Sequence, residues 1–105
     1  MIVVQVANML KPGRWEEAMG VIKTGNDLVK KHGGENVATM VSMAAGPASG
    51  RVSTIWTAAD WAAYGKVMNG LMADPELNEL MATSMGPDGP TLGFETYVSQ
   101  TIPDL

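Results

Sequence analysis

A chain of 105 residues without a cysteine is long enough for one domain, residues 1–105, that buries roughly 65% of the surface its unfolded form exposes. It excludes disulfides, zinc–thiolate and iron–sulfur centres and a cysteine nucleophile. Eleven acidic against seven basic side chains give a net charge of -4, with no cationic cluster beyond Lys30-Lys31, which argues against nucleic acid or an anionic membrane as partner.

The opening MIVVQVANML has no basic leader, no small-residue cleavage site and too few residues to span a bilayer. It reads as a strand, and the chain as cytoplasmic. Ile2 to Met9 is apolar on both parities, the pattern of a strand covered on both faces and central in its sheet. Lys11-Pro12-Gly13 ends it. Trp15, Met19, Ile22 and Val29 then recur at helical spacing, with Ala18 and Gly25 on the same stripe, and His32-Gly33-Gly34 supplies a glycine stop. The first helix is expected over about 13–32. NVATMVSMA and RVSTIWT flank AGPASG, and two strand-like runs joined by a Gly/Pro/Ser turn predict an antiparallel hairpin.

Thr57 followed three residues later by Asp60 has the form of a capping box opening a second helix. Its stripe runs Trp61, Tyr64, Met68, Leu71 and Met72. Asp74-Pro75-Glu76 then re-caps a short continuation carrying Leu77, Leu80 and Met81. GPDGP at 86–90 is a turn, and TLGFETYVSQ alternates as a last strand, with Leu92 and Phe94 expected to face the helices.

The order βαββαβ predicts an α+β, ferredoxin-like domain: a four-stranded antiparallel sheet with both helices on one face. The uncovered face would present Val3, Gln5, Ala7, Glu95 and Tyr97, together with Met40 and Ile55. A patch of that size and mixed polarity is expected to be covered by a second copy, giving a sheet-to-sheet homodimer. The tail TIPDL is free to cross onto that copy.

The βαββαβ order over the whole chain, the aromatic pair that opens helix two after IWTAAD, and the re-cap ADPELNEL resemble the dimeric α/β-barrel superfamily, especially its antibiotic-biosynthesis-monooxygenase-like and NIPSNAP-like branches. The resemblance implies a pocket between sheet and helices in each protomer. Members include cofactor-free oxygenases, haem-degrading enzymes, isomerases, cyclases and proteins without known activity, so fold alone does not choose among reactions. It implies a role for an asparagine near the end of the first strand, where Asn8 stands, and for an aromatic residue on helix two, for which Trp61 or Tyr64 is available. The haem-degrading branch uses a histidine on helix two, and this helix has none. Haem bound in the family's mode is therefore not expected, and with one histidine and no cysteine neither a metal nor another bound cofactor is expected.

Each candidate has two readings. Trp61 and Tyr64 are core or pocket wall. Asn8 caps the turn after its strand or binds a carbonyl or enolate oxygen, because a buried carboxamide must place two donors and an acceptor. His32, at a helix C-terminus, is structural. Glu95 pairs with Arg51 or acts as a general base with a raised pKa. Trp15 and Trp56 are core or line one end of the pocket, Trp56 alongside Met68 and Phe94. No carboxylate pair stands at ligand spacing, no serine sits in a nucleophile elbow, and no glycine loop joins a strand to a helix N-terminus with a lysine.

Two functions follow. One is an enzyme without metal or cofactor, acting on a planar hydrophobic substrate by monooxygenase-like or enol isomerase/cyclase chemistry. Asn8 would hold an oxyanion, Tyr64 would move a proton, and Trp61 would pack on the ring. The other is a non-catalytic homodimer that serves as a ligand carrier or an assembly partner.

Overall fold

The computed structural model describes all 105 residues. The order is β1 (Ile2–Leu10), α1 (Trp15–Lys31), β2 (Glu35–Val41), a 3-10 turn (Gly46–Ala48), β3 (Val52–Ala58), α2 (Trp61–Ala73), α3 (Pro75–Ser84) and β4 (Thr91–Gln100). The strands form one antiparallel sheet in the order β2-β3-β1-β4. With the helices on one face, this is the ferredoxin-like arrangement expected from the sequence. No helix is long and apolar enough to cross a membrane.

The apolar run of β1 reflects its central place between β3 and β4. Val4 sits opposite Trp56, Val6 opposite Thr54 and Asn8 opposite Val52, and this row faces the helices. The alternate row of Val3, Gln5 and Ala7 lies on the open face beside Ile55 and Tyr97. Ile2, Val4, Leu28, Val29, Trp56, Ala58, Val67 and Leu71 form the core. Trp56 is its largest fully buried side chain, and Gly34 is without a side chain because a Cβ there would strike Val29 and touch Trp56.

Three local expectations are corrected. The N-cap of α2 is Asp60 itself, whose Oδ1 accepts from Ala63 N at 2.8 Å. Thr57 instead stays in β3 and accepts from Asn36 Nδ2, so no capping box forms. Leu92 does not face the helices. The register shifts between Met9, opposite Gly93, and Leu10, opposite Thr91, so Leu92 is the extra residue of a bulge, 65% exposed. Trp15 is not core. It lies in the first turn of α1, ahead of the buried Ala18 and Ile22, and is 53% exposed. The tail is tied at its root, where Thr101 N donates to Met1 O and the Met1 amino group donates to Thr101 Oγ1.

The break between α2 and α3 is held by one buried carboxylate. Asp74 Oδ1 accepts from Glu76 N at 2.9 Å and so caps α3, with Pro75 at the first helical position. Asp74 Oδ2 receives His32 Nε2 at 2.7 Å and Lys31 Nζ at 3.1 Å. Both partners stand at the C-terminal end of α1, where cations also oppose the negative helix pole. The His32 contact, then that of Lys31, holds the Asp74 carboxyl well below its ordinary value of 3.8, at about 2, against the opposing effect of burial. Gly70 makes the approach possible, since a Cβ on it would run into the His32 ring.

Two outcomes follow from this junction. As pH falls, the unfolded chain protonates Asp74 near 3.8 while the folded chain resists until about 2. Its contribution to stability is therefore complete above the first value and is lost as pH drops through the second. Asp74→Asn should destabilise the protein at neutral pH, and the gap to wild type should close across that interval in acid-unfolding curves. Gly70→Ala should cost about 1 kcal/mol in urea unfolding through collision with His32. In a His32→Ala background the same change should be neutral or stabilising, because alanine favours a helix over glycine by up to about 1 kcal/mol. An equal cost in both backgrounds would show that the contact is inert.

Candidate functional site

The helices do not close evenly over the sheet. α1 packs against β2 and β3, and α2 packs against β3, while β4 is an edge strand whose inward residues Phe94 and Val98 are each 39% exposed. A cavity of about 460 Å³ opens between this side of the sheet and all three helices. The volume is in the range of small-molecule sites.

Its wall is built from β1 (Val4, Val6, Asn8), β3 (Thr54, Trp56), β4 (Thr91, Phe94, Thr96) and the facing sides of the helices. Fourteen of its 22 lining residues are hydrophobic, and the other eight are glycine, asparagine, serine and threonine. Not one lining residue is charged, and none is a histidine. Four are methionines, Met68, Met72, Met81 and Met85, which supply polarisable, conformationally adaptable surface.

The polar groups are largely engaged with one another. Thr54 Oγ1 donates to Asn26 Oδ1 at 2.6 Å, and Asn26 Nδ2 donates to Thr39 Oγ1 at 2.8 Å. The buried hydroxyls of Ser84 and Thr91 pair at 2.8 Å. Asn8 Nδ2 donates to Val52 O at 3.1 Å and, more weakly, to Val6 O at 3.5 Å. Those two carbonyls fix the orientation of the carboxamide, because the flipped form would set oxygen against oxygen. The Asn8 group left for a ligand is its Oδ1, an acceptor.

Of the residues singled out in the sequence, Asn8, Trp56, Met68 and Phe94 meet in this wall. Trp61 and Tyr64 do not line it. Trp61 occupies the first turn of α2 and lies 53% exposed at the sheet edge, its Nε1–H donating to Gln100 Oε1 at 3.2 Å. Tyr64 stacks on Trp56 with ring centroids 6.0 Å apart and meets Trp61 edge-on at 5.5 Å. It supports the Trp56 ring instead of standing in the cavity. Asn8 does not cap the turn after β1, and its committed amide hydrogens are not placed to hold an oxyanion.

Asn26, Thr54, Ser84 and Thr91 were missed. Asn26 left a trace, being a polar residue on the apolar stripe between Ile22 and Val29, whereas the Ser84–Thr91 pair depends on the β4 bulge and left none. Glu95 lies on the other face of the sheet. It accepts from Tyr97 and pairs with Arg51 at 2.9 Å, and the Tyr97 hydroxyl and then Arg51 lower its pKa, opposite to the shift a general base requires. No three His, Cys, Asp or Glu side chains converge in a way that could hold a metal ion.

No protein-family model matches the chain, and no curated protein matches it in sequence. Solved structures do match in shape. An uncharacterized NIPSNAP domain protein from Burkholderia xenovorans superposes with a TM-score of 0.76 at 13% identity, over 100% of this chain and 98% of that one. A NIPSNAP family protein of unknown function from Agrobacterium tumefaciens gives 0.71 at 20% identity, over 94% and 86%. A variant of MhuD with two manganese protoporphyrin IX molecules per active site gives 0.62 at 11% identity, over 100% and 98%. The chain thus has the ferredoxin-like fold shared by NIPSNAP-family proteins and MhuD.

Proposed function

We propose that this protein binds a planar, hydrophobic small molecule in the cavity between sheet and helices and acts as its carrier. The observation that carries this reading is a cavity of ligand size whose 22 lining residues include no ionisable side chain. Such a wall offers an apolar guest dispersion contacts from Trp56, Phe94 and the methionines. It supplies no group that takes up or releases a proton near neutral pH. The monooxygenase-like or isomerase chemistry weighed from the sequence would leave the substrate to provide the electrons and water to carry the proton. The porphyrin held by MhuD is not carried over, since this wall has neither a histidine for its metal nor a cation for its carboxylates.

The reading extends to assembly. Two copies meeting through the open sheet face would bury Val3, Ile55 and the half-exposed Met40 and Tyr97. They would also cover a molecule that is only 16 Å thick along its shortest axis. The mixed polarity of that face suits a self-complementary two-fold contact.

The carrier reading is tested with naphthalene as a probe in calorimetry. Gly25 lines the cavity in the middle of α1, and a Cβ on it would touch only the end of Leu80, at 4.0 Å. Gly25→Phe is expected to fill the space, preserve or raise Tm, and weaken naphthalene binding by at least about tenfold. Failure of the wild-type protein to bind the probe would refute the reading. For assembly, sedimentation should give twice the 11.1 kDa chain mass, and Ile55→Lys should give the single chain. A monomeric wild type would remove the dimer.

A further inference from the structure

We infer that the cavity selects uncharged ring compounds bearing a hydroxyl or N–H that donates to Asn8 Oδ1, and that it rejects anions of the same shape. This rests on the cavity being a ligand site, as proposed above, and goes further by assigning the charge and the polar handle of the ligand.

The first support is the composition of the wall. A carboxylate or phenolate entering it gives up hydration, and among the 22 lining residues no lysine, arginine or histidine compensates. Lys23, Lys30 and Lys66, the cations nearest in sequence to cavity residues, are exposed and line no part of it, and four others are committed elsewhere. Lys31 and His32 are bound to Asp74, Lys11 donates to Gly86 O and Pro87 O, and Arg14 bonds Glu17 and Asp88 O. The groups available in the wall are neutral dipoles. They are the carboxamide oxygen of Asn8, one hydroxyl proton of the Ser84–Thr91 pair, and at the exposed mouth Thr96 and Asn78.

The second support is the fixed direction of Asn8. Its Nδ2 is turned to the carbonyls of Val52 and Val6, so its free valence accepts. Asn8 pairs across the sheet with Phe94, and both line the cavity. A ring lying against Phe94 therefore has an acceptor beside it at the same level of the sheet. A ligand without a donor would leave that oxygen desolvated and unpaired, which is the costly arrangement for a buried polar atom. A donor supplied by the ligand satisfies it.

The experiment compares four probes of one skeleton on the intact protein by calorimetry: naphthalene, 2-naphthol, 2-methoxynaphthalene and 2-naphthoate. 2-Naphthol is expected to bind about tenfold more tightly than its methyl ether, and 2-naphthoate about a hundredfold or more weakly than 2-naphthol. Raising the pH until 2-naphthol ionises should weaken its binding while naphthalene is unaffected. In Asn8→Leu the naphthol and its ether should bind alike, whereas Asn69→Leu, at an exposed position of α2 outside the cavity, should keep the preference. The wild-type series decides the matter even if Asn8→Leu does not fold. Binding of naphthoate as tight as that of naphthol, or equal binding of naphthol and ether, overturns this inference and leaves the ligand site standing. Binding of none of the four removes the ligand site and this inference together.

Discussion

The helical layer is organised around the carboxylate of Asp74. Its two oxygens do different work, one capping α3 through Glu76 N and the other receiving His32 and Lys31 from the end of α1. A proline-marked break between two helices would otherwise be a swivel, because the backbone bonds that would keep them collinear are missing. Here the swivel is clamped at its pivot to a third helix. The side chain is only 4% exposed, and a carboxylate that deep is tolerated because every charge-bearing contact it makes is a hydrogen bond as well. Gly70 and Gly34 belong to the same device, since each removes a Cβ that would stand between α1 and its neighbours.

The clamp explains why there is a cavity at all. A continuous helix would have run straight on, whereas the turn at Asp74 sends α3 back across α1. Leu77, Leu80 and Met81 then look toward Ile22, Gly25 and Asn26, with β1 and β4 as the floor. The glycine in the middle of α1 leaves depth, and the unbranched methionines leave a wall that can reshape without backbone movement. The clamp holds Lys31 and His32 on Asp74, and the cavity wall is left with dipoles alone. Electrostatics and shape therefore both suit the neutral, mainly apolar ligand proposed for it.

Much of the architecture could be read from residue order. Alternation placed Val3, Gln5 and Ala7 on one face and Val4, Val6 and Asn8 on the other, and Asp74-Pro75-Glu76 announced the re-capped helix. These signals are local, and each reflects a backbone requirement met within a few residues. The His32–Asp74 contact was not legible, because it joins positions 42 apart and only the packing of α1 on the break brings them together. The orientation of the Asn8 carboxamide was equally hidden. It depends on the carbonyl of Val52, supplied by a neighbouring strand. For Trp61, helical spacing identified the stripe without showing where the core begins. A first-turn residue can lie on the apolar side of a helix and still project beyond the sheet it would need to rest on.

The bulge at Leu92 ties the two faces of the sheet together. Thr91 and Phe94 are three residues apart, so a regular strand would send their side chains to opposite faces. Yet Thr91 closes the hydroxyl pair with Ser84 while Phe94 forms part of the same wall. The extra residue reconciles them, and beyond it the alternation places Phe94 and Thr96 inside, with Glu95 and Tyr97 outside beside Arg51. A slip of one residue would reverse that assignment along the strand and put a carboxylate into a cavity that has no partner for it. The neutrality of the pocket and the ionic cluster on the open face are thus two results of one register, set where β4 leaves the turn at 86–90. That turn is held in place by Lys11 and Arg14 from the segment between β1 and α1.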